Sequence, residues 1–191
     1  MENKLVIREN YDEEGDFLNK QTFNTGKVRE VNGDYELDVL TELFDEKGKS
    51  TDKYITTYRC DPSESSIMVM AFLFSKPNSN ETEINTTSKN FKELYDLDNL
   101  KDIELEMNFD SGLLNFFGSK STIKIYDRRL ESIGNHKQLK SKVNVKAYAL
   151  GIRIKQLNYT VTEKLNSLGF LTYQKFTEND RSYFTMTYKN L

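Results

Sequence analysis

Apolar and polar residues alternate with period two along most of the chain. That spacing puts one face of a β-strand in a core and the other in water. In YELDVLTELF, Tyr35, Leu37, Val39, Thr41 and Leu43 share one face while Glu36, Asp38 and Glu42 take the other. In KYITTYRC the shared face holds Tyr54, Thr56, Tyr58 and Cys60. Ile123 and Ile125 in STIKIYD, Val143, Val145 and Ala147 in KVNVKAYAL, and Phe184, Met186 and Tyr188 in RSYFTMTYKNL repeat the pattern. SIMVMAFLF (66–74) is apolar on both faces and reads as the most buried strand. Roughly ten to twelve such runs predict a mostly-β fold, a single antiparallel curled sheet forming a barrel or half-barrel, because twisted open sheets rarely exceed about ten strands. Residues 1–191 read as one domain, with no composition break that marks a linker.

Two stretches interrupt the alternation. SKPNSNETEINTTSKN (75–90) is polar and turn-rich, which predicts an exposed loop. After it, SKNFKELYDL sets Phe91, Leu94 and Tyr95 at helical spacing behind Ser88, so one short helix is expected, and at most two in the chain. GNHKQLKSK (134–142) reads as a second, basic loop.

One local pattern occurs twice. YDEEGD and FDEKGK both place an aromatic, Asp, Glu, a charged residue and Gly in order, their aspartates 45 − 12 = 33 residues apart. A calcium loop needs ligands at alternating positions over twelve residues, with Gly sixth and a closing Glu. Here Gly stands fourth and the closing ligands are missing. A hairpin turn accounts for the spacing: Asp accepts from the backbone that follows it, and Gly supplies the positive φ of a bulged turn. FTENDRSYF looks like a third version, with Asn179 or Asp180 expected at the positive-φ position.

The order of these hairpins, followed by YRC, SSIMVMAFLF and the late LGFLTYQKFTENDRSYFTMTYKNL, resembles a group of exported bacterial β-barrel proteins called TapB-like. Gly169, Phe170, Tyr173, Phe176 and Leu191 match that group's Gly-hydrophobic-x-aromatic segment, last hairpin and closing Leu. The likeness covers residues 5–75 and 165–191. It implies an antiparallel, partly open barrel exported to the periplasm or cell surface, and it brings no catalytic residues. The chain departs from the group between 120 and 155, where the expected Gly-Thr-Phe turn is missing.

Composition narrows the function. A single cysteine rules out an internal disulfide, and no apolar run approaches the ~18 residues of a membrane helix. Net charge is only −3, yet residues 1–119 hold 13 Lys+Arg against 25 Asp+Glu, and residues 120–191 hold 14 against 5. The plainest expectation is two parts of one sheet system that attract each other. Residues 120–155 alone hold 10 basic residues and 2 acids. Only Tyr126 interleaves with the KIYDRR charges, so nucleic-acid binding is not expected.

Catalytic chemistry finds little to use. His136 is the only histidine, in a polar loop, and Cys60 ends an alternating strand with Asp61 beside it. Asp102, Glu104 and Glu106 share the polar face of KDIELEM, the bare minimum for a carboxylate-based hydrolase. No metal site and no cofactor are expected. The favoured reading is a non-catalytic envelope or secreted protein. In it Tyr35, Leu37, Val39, Tyr54 and Tyr58 line an apolar groove for a lipid or other amphipathic ligand. Lys124, Arg128, Arg129, Arg153 and Lys155 would meet an anionic group of that ligand. The competing class is a surface-structural or protein–protein interaction module whose interior is filled. An export signal trimmed from ahead of Met1 would leave a chain that starts directly at a strand, as this one does. Periplasmic, outer-membrane-anchored or secreted is therefore the expected location, with the cytoplasm as the alternative.

Overall fold

In the computed structural model, residues 4–27, 29–60, 81–86, 97–110, 119–134, 136–149, 152–167 and 171–190 are described. They form β1 (Lys4–Tyr11), β2 (Phe17–Thr25), β3 (Arg29–Val31), β4 (Asp34–Phe44), β5 (Ser50–Cys60) and β6 (Glu81–Thr86). Then follow β7 (Ile103–Asp110), β8 (Ser119–Ile133), β9 (His136–Ala149), β10 (Ile152–Leu165), β11 (Leu171–Glu178) and β12 (Tyr183–Asn190). The twelve strands make one sheet in the order β2-β1-β12-β11-β10-β9-β8-β7-β6-β5-β4-β3. The sheet curls so far that β2 also pairs with β4, from Lys20↔Phe44 to Thr25↔Val39. Neighbours are antiparallel except β5 and β6, which pair in parallel. No helix occurs among the described residues. The expected strand at 66–74 and the expected helix behind Ser88 lie outside them.

Alternation decides which side chains enter the concave face. Val6, Phe23, Val39, Ile103, Ile123, Val143, Val161, Phe176, Phe184 and Met186 are buried there. The convex face carries Lys124, Lys142 and Lys164, its lysines turned to water. Such a face is not the apolar band that a lipid-spanning barrel presents. No helix among the described residues is long and apolar enough to cross a membrane.

The Asp-led motifs are turns. Asp12 Oδ1 accepts from the backbone N–H of Gly15 (2.9 Å) and Asp16 (2.8 Å), and Gly15 has φ of 92°. Asp45 Oδ1 accepts from Lys47 (3.0 Å) and Lys49 (2.9 Å), and Gly48 has φ of 75°. Register slips after each turn, Tyr11 pairing with Phe17 and Phe44 with Ser50, as a bulged hairpin requires. The third turn corrects the expectation. Its backbone bond runs from Arg181 N–H to Glu178 O, so Glu178 takes the leading position and Arg181, φ 75°, the left-handed one. Asp180 instead accepts from the Ser182 backbone and hydroxyl.

Parts of two polar stretches expected as loops are strands. Within 75–90, Glu81–Thr86 forms β6, where Thr82, Ile84 and Thr86 alternate with Glu81, Glu83 and Asn85. β-Branched residues suit a strand whether or not they are apolar. Within 134–142, β9 begins at His136, which pairs with Ile133 of β8. Leu139 and Ser141 are buried between outward lysines, so the alternation is present but carried by one Leu and one Ser.

Near the junction of the chain ends, the Tyr11 and Tyr183 rings stack at 4.7 Å and the Lys175 ammonium lies 3.6 Å from the Tyr183 ring centre. Cross-strand ring and cation–π pairs of this kind add roughly 0.5–1 kcal/mol each. Burial, helped by the bond to Glu9, pushes the Tyr11 hydroxyl up to about 12. The acidic and basic parts of the chain meet at β7–β8, where Glu104 is in register with Lys124.

Candidate functional site

The residues expected to line a groove do meet. Leu37 pairs with Tyr58, Val39 with Thr56, Thr41 with Tyr54 and Tyr35 with Cys60 across β4–β5. Val39 is 0% exposed and Leu37 6%, so the protein's own atoms seal these positions. Tyr54 is half-buried, and the side chains of Tyr35 and Tyr58 lie outside the described residues.

The five basic candidates are not brought together. Lys124 is exposed on the convex face, 5.9 Å from the Tyr126 ring centre. A bulge in β8 between Tyr126 and Arg129 inserts one extra residue and reverses the alternation. Asp127 takes φ of 54° there. Leu130 now pairs with inward-facing Leu139, so Arg128 falls on the concave side and Arg129 on the convex side. Arg129 and Lys142 both bind Asp127, at 2.7 and 3.0 Å. Those two bonds, Arg129's first, hold the Asp127 carboxyl below its usual range. Arg128 donates to the Lys101 carbonyl at 3.2 Å. Arg153 and Lys155 are exposed at the start of β10, where Arg153 donates to the Gln156 side chain at 2.8 Å.

Sequence reasoning missed a polar line across the concave face. Glu163 and Gln174 pair across β10–β11, and both are buried. Gln174 Nε2 donates to Glu163 Oε1 at 2.6 Å, and the Tyr188 hydroxyl donates to Gln174 Oε1. Burial pushes the Glu163 carboxyl up, opposed by the Gln174 bond and by the nearby Arg128 charge. The available signal was a Glu at an inward position of YTVTEKL, two residues after Val161.

Beside this line, Phe176 and Phe184 stack at 4.6 Å, and Tyr159 meets both edge-on at 5.9 and 5.8 Å. The Arg8 guanidinium covers the Phe184 ring at 4.2 Å, and burial pulls its pKa down. Burial and Glu178 push the Tyr159 hydroxyl up to about 12. These groups pack and satisfy one another, an arrangement that orders a core. His136 is exposed, as are Asp102 and Glu104, while the Glu106 and Cys60 side chains lie outside the described residues.

No protein-family profile matches the chain, and no curated protein matches it. Among solved structures it is similar to a proposed lipoprotein from Parabacteroides distasonis, at 14% identity and a TM-score of 0.47, over 100% of this chain and 95% of that one. It is also similar to a proposed exported protein with a YmcC-like fold from Bacteroides fragilis, at 13% identity and a TM-score of 0.45, again over 100% and 95%. Likeness at this level carries no argument about function. The fold rests on the strand pairing, and the site on the packing described above.

Proposed function

We propose that the chain is a non-catalytic interaction module of the cell envelope or exterior, its interior filled by its own side chains. The sealing of Val39 and Leu37, at 0% and 6% exposure, carries this reading. A carrier with an apolar groove needs room at those positions. Its anionic-group contact would also have to be assembled from basic residues on both faces of the sheet. Titration with a fluorescent fatty acid tests the interior directly. No saturable uptake is expected, and one-to-one uptake weakened by Val39→Phe would restore the carrier.

The non-catalytic part is supported by the engagement of Glu163 with Gln174 and by the exposure of Asp102 and Glu104 to water. Turnover in a glycosidase and esterase panel that Asp102→Asn or Glu104→Gln abolishes would overturn it. The extracytoplasmic location is supported by the resemblance of the turn order to the exported TapB-like group. Fractionation of native cells with an antibody to the protein checks it, and recovery in the cytosol contradicts it.

A further inference from the structure

The sheet ends unevenly. β9 pairs with β10 as far as Ile152↔Ala149, while Phe109↔Ser119 and Ser119↔Ala149 bring β7 and β8 to the same level. β11 follows β10 only to Tyr159, whose partner is Glu178, and the chain then turns back into β12. The β9–β10 tip therefore stands seven residues, about 23 Å of strand, beyond Glu178. Ile152 and Ile154 on it are 68% and 66% exposed, the highest values among the described large apolar residues. Arg153, Lys155 and Gln156 are exposed beside them. Arg153 pairs with outward-facing Tyr148 and Lys155 with Ala147 on the concave side, with Ile154 in the slip between them. The tip thus carries a cation on each face. The sequence that links Asp110 to Ser119 at the same level, SGLLNFFG, adds apolar residues and no charge.

We propose that this tip docks on an anionic bilayer, its isoleucines entering the headgroup layer while Arg153 and Lys155 meet lipid phosphates. The inference rests on the interaction-module reading and names the partner of that module. A lipid interface surrounds whatever enters it, so it engages apolar and basic groups on both faces of a strand at once. A protein surface would take one face and leave the cation on the other unmatched. Basic side chains beside apolar ones keep their charge at the phosphates while their stems lie in the apolar layer.

Charge selects the lipid. No Asp or Glu occurs between Ser132 and Thr162, a span that holds six Lys or Arg. Those cations also stand against a second copy, since two tips would repel each other. Acids at this end of the sheet are set back or to one side. Glu178 opposes Tyr159, about 23 Å back along β10. The turn with Glu13, Glu14 and Asp16 opens at Tyr11, which lines up through Tyr183 and Thr177 with Thr160, so it is set back likewise. Glu83 and Asp110 pair at the level of the tip, but on β6 and β7. Those strands are four and three places from β10, roughly 19 and 14 Å at ~4.8 Å per strand. Both distances exceed the Debye length of ~8–10 Å, so salt screens the repulsion.

Co-sedimentation of the intact protein with mixed phosphatidylglycerol–phosphatidylcholine vesicles, against phosphatidylcholine alone, tests the proposal. Saturable binding to the anionic vesicles, weakened by salt, is expected, with amide hydrogen exchange slowed at 152–156. Arg153→Glu together with Lys155→Glu should weaken it by about thirtyfold or more, since each Lys or Arg near an anionic surface contributes ~1 kcal/mol. Ile152→Ser together with Ile154→Ser should weaken it by about tenfold and leave the salt dependence in place. All four positions are exposed, so unchanged thermal unfolding of the variants shows that the fold survives. Equal binding to the two kinds of vesicle, full binding by the serine variant, or protection elsewhere on the sheet overturns the proposal. So does binding to neither, self-association that the serine variant abolishes, or tighter binding to polyglutamate or heparin than to vesicles. Two isoleucines on a tip enclose no lipid. Fatty-acid uptake therefore reports on the interior alone, and failure here leaves the filled-interior reading standing.

Discussion

At the scale of single residues, backbone conformation and burial decide more than residue type. Gly15 and Gly48 occupy their positive-φ positions without strain, and the two Asp-Glu-x-Gly motifs mark both turns in the sequence. The third turn is legible there only as a turn. Asn and Asp are the usual non-glycine occupants of that conformation, which points to Asn179 and Asp180. The turn is framed by Glu178, however, and the frame puts Arg181 there. A side chain in the left-handed region costs roughly 1–2 kcal/mol. Arg181→Gly is therefore expected to stabilise the protein by about 1 kcal/mol, less the extra chain entropy that glycine brings to the unfolded state. Urea unfolding checks this, and a loss of stability would show that the Arg181 side chain makes a compensating contact.

Glu163 supplies the second test at this scale. Its pKa is raised in the fold above the ordinary 4.5, so the folded state holds that proton more tightly than the unfolded chain does. Stability therefore falls as pH climbs from the unfolded value through the raised folded one, and the deficit is complete above it. Glu163→Gln removes the titration while keeping an acceptor for Gln174. Its stability relative to the parent should rise with pH across that window and level off beyond it. Urea midpoints measured at a series of pH values report the trend. A gap that stays constant or closes contradicts the raised pKa.

At the scale of elements, the strands with clean apolar alternation are legible in the sequence itself: β4, β5, β8, β9 and β12 fall where their patterns put them. β6 and the start of β9 are not, because polar composition hides the alternation that Ile84 and Leu139 carry. The β8 bulge is beyond reach, since nothing in KIYDRRLES announces an extra residue at Asp127. Its consequence is to exchange the two arginines between faces: regular alternation would leave Arg128 on the outer face with Lys124, and the bulge puts Arg129 there and turns Arg128 inward. The Tyr159–Phe176–Phe184 cluster joins β10, β11 and β12, with Arg8 of β1 laid over it. Phe184→Ala should cost about 3–5 kcal/mol, the usual range for an aromatic removed from a core. Thermal unfolding checks it. A cost below about 1 kcal/mol, as for a surface change, would mean that these strands do not pack as described.

At the scale of the whole molecule, one sheet curls until β2 meets β4, and its concave face is occupied by its own side chains. Which face is inner is legible in the sequence, because period two sorts residues between the two faces until a bulge intervenes. Whether that face is open is not, because alternation reports burial and says nothing about what does the burying. Native mass spectrometry of the protein purified from its own host tests the filled interior most directly. The bare chain mass, unchanged across gentle and harsh desolvation, is the expected result. A discrete additional mass of lipid size, retained under gentle conditions and lost as the chain unfolds, would contradict it.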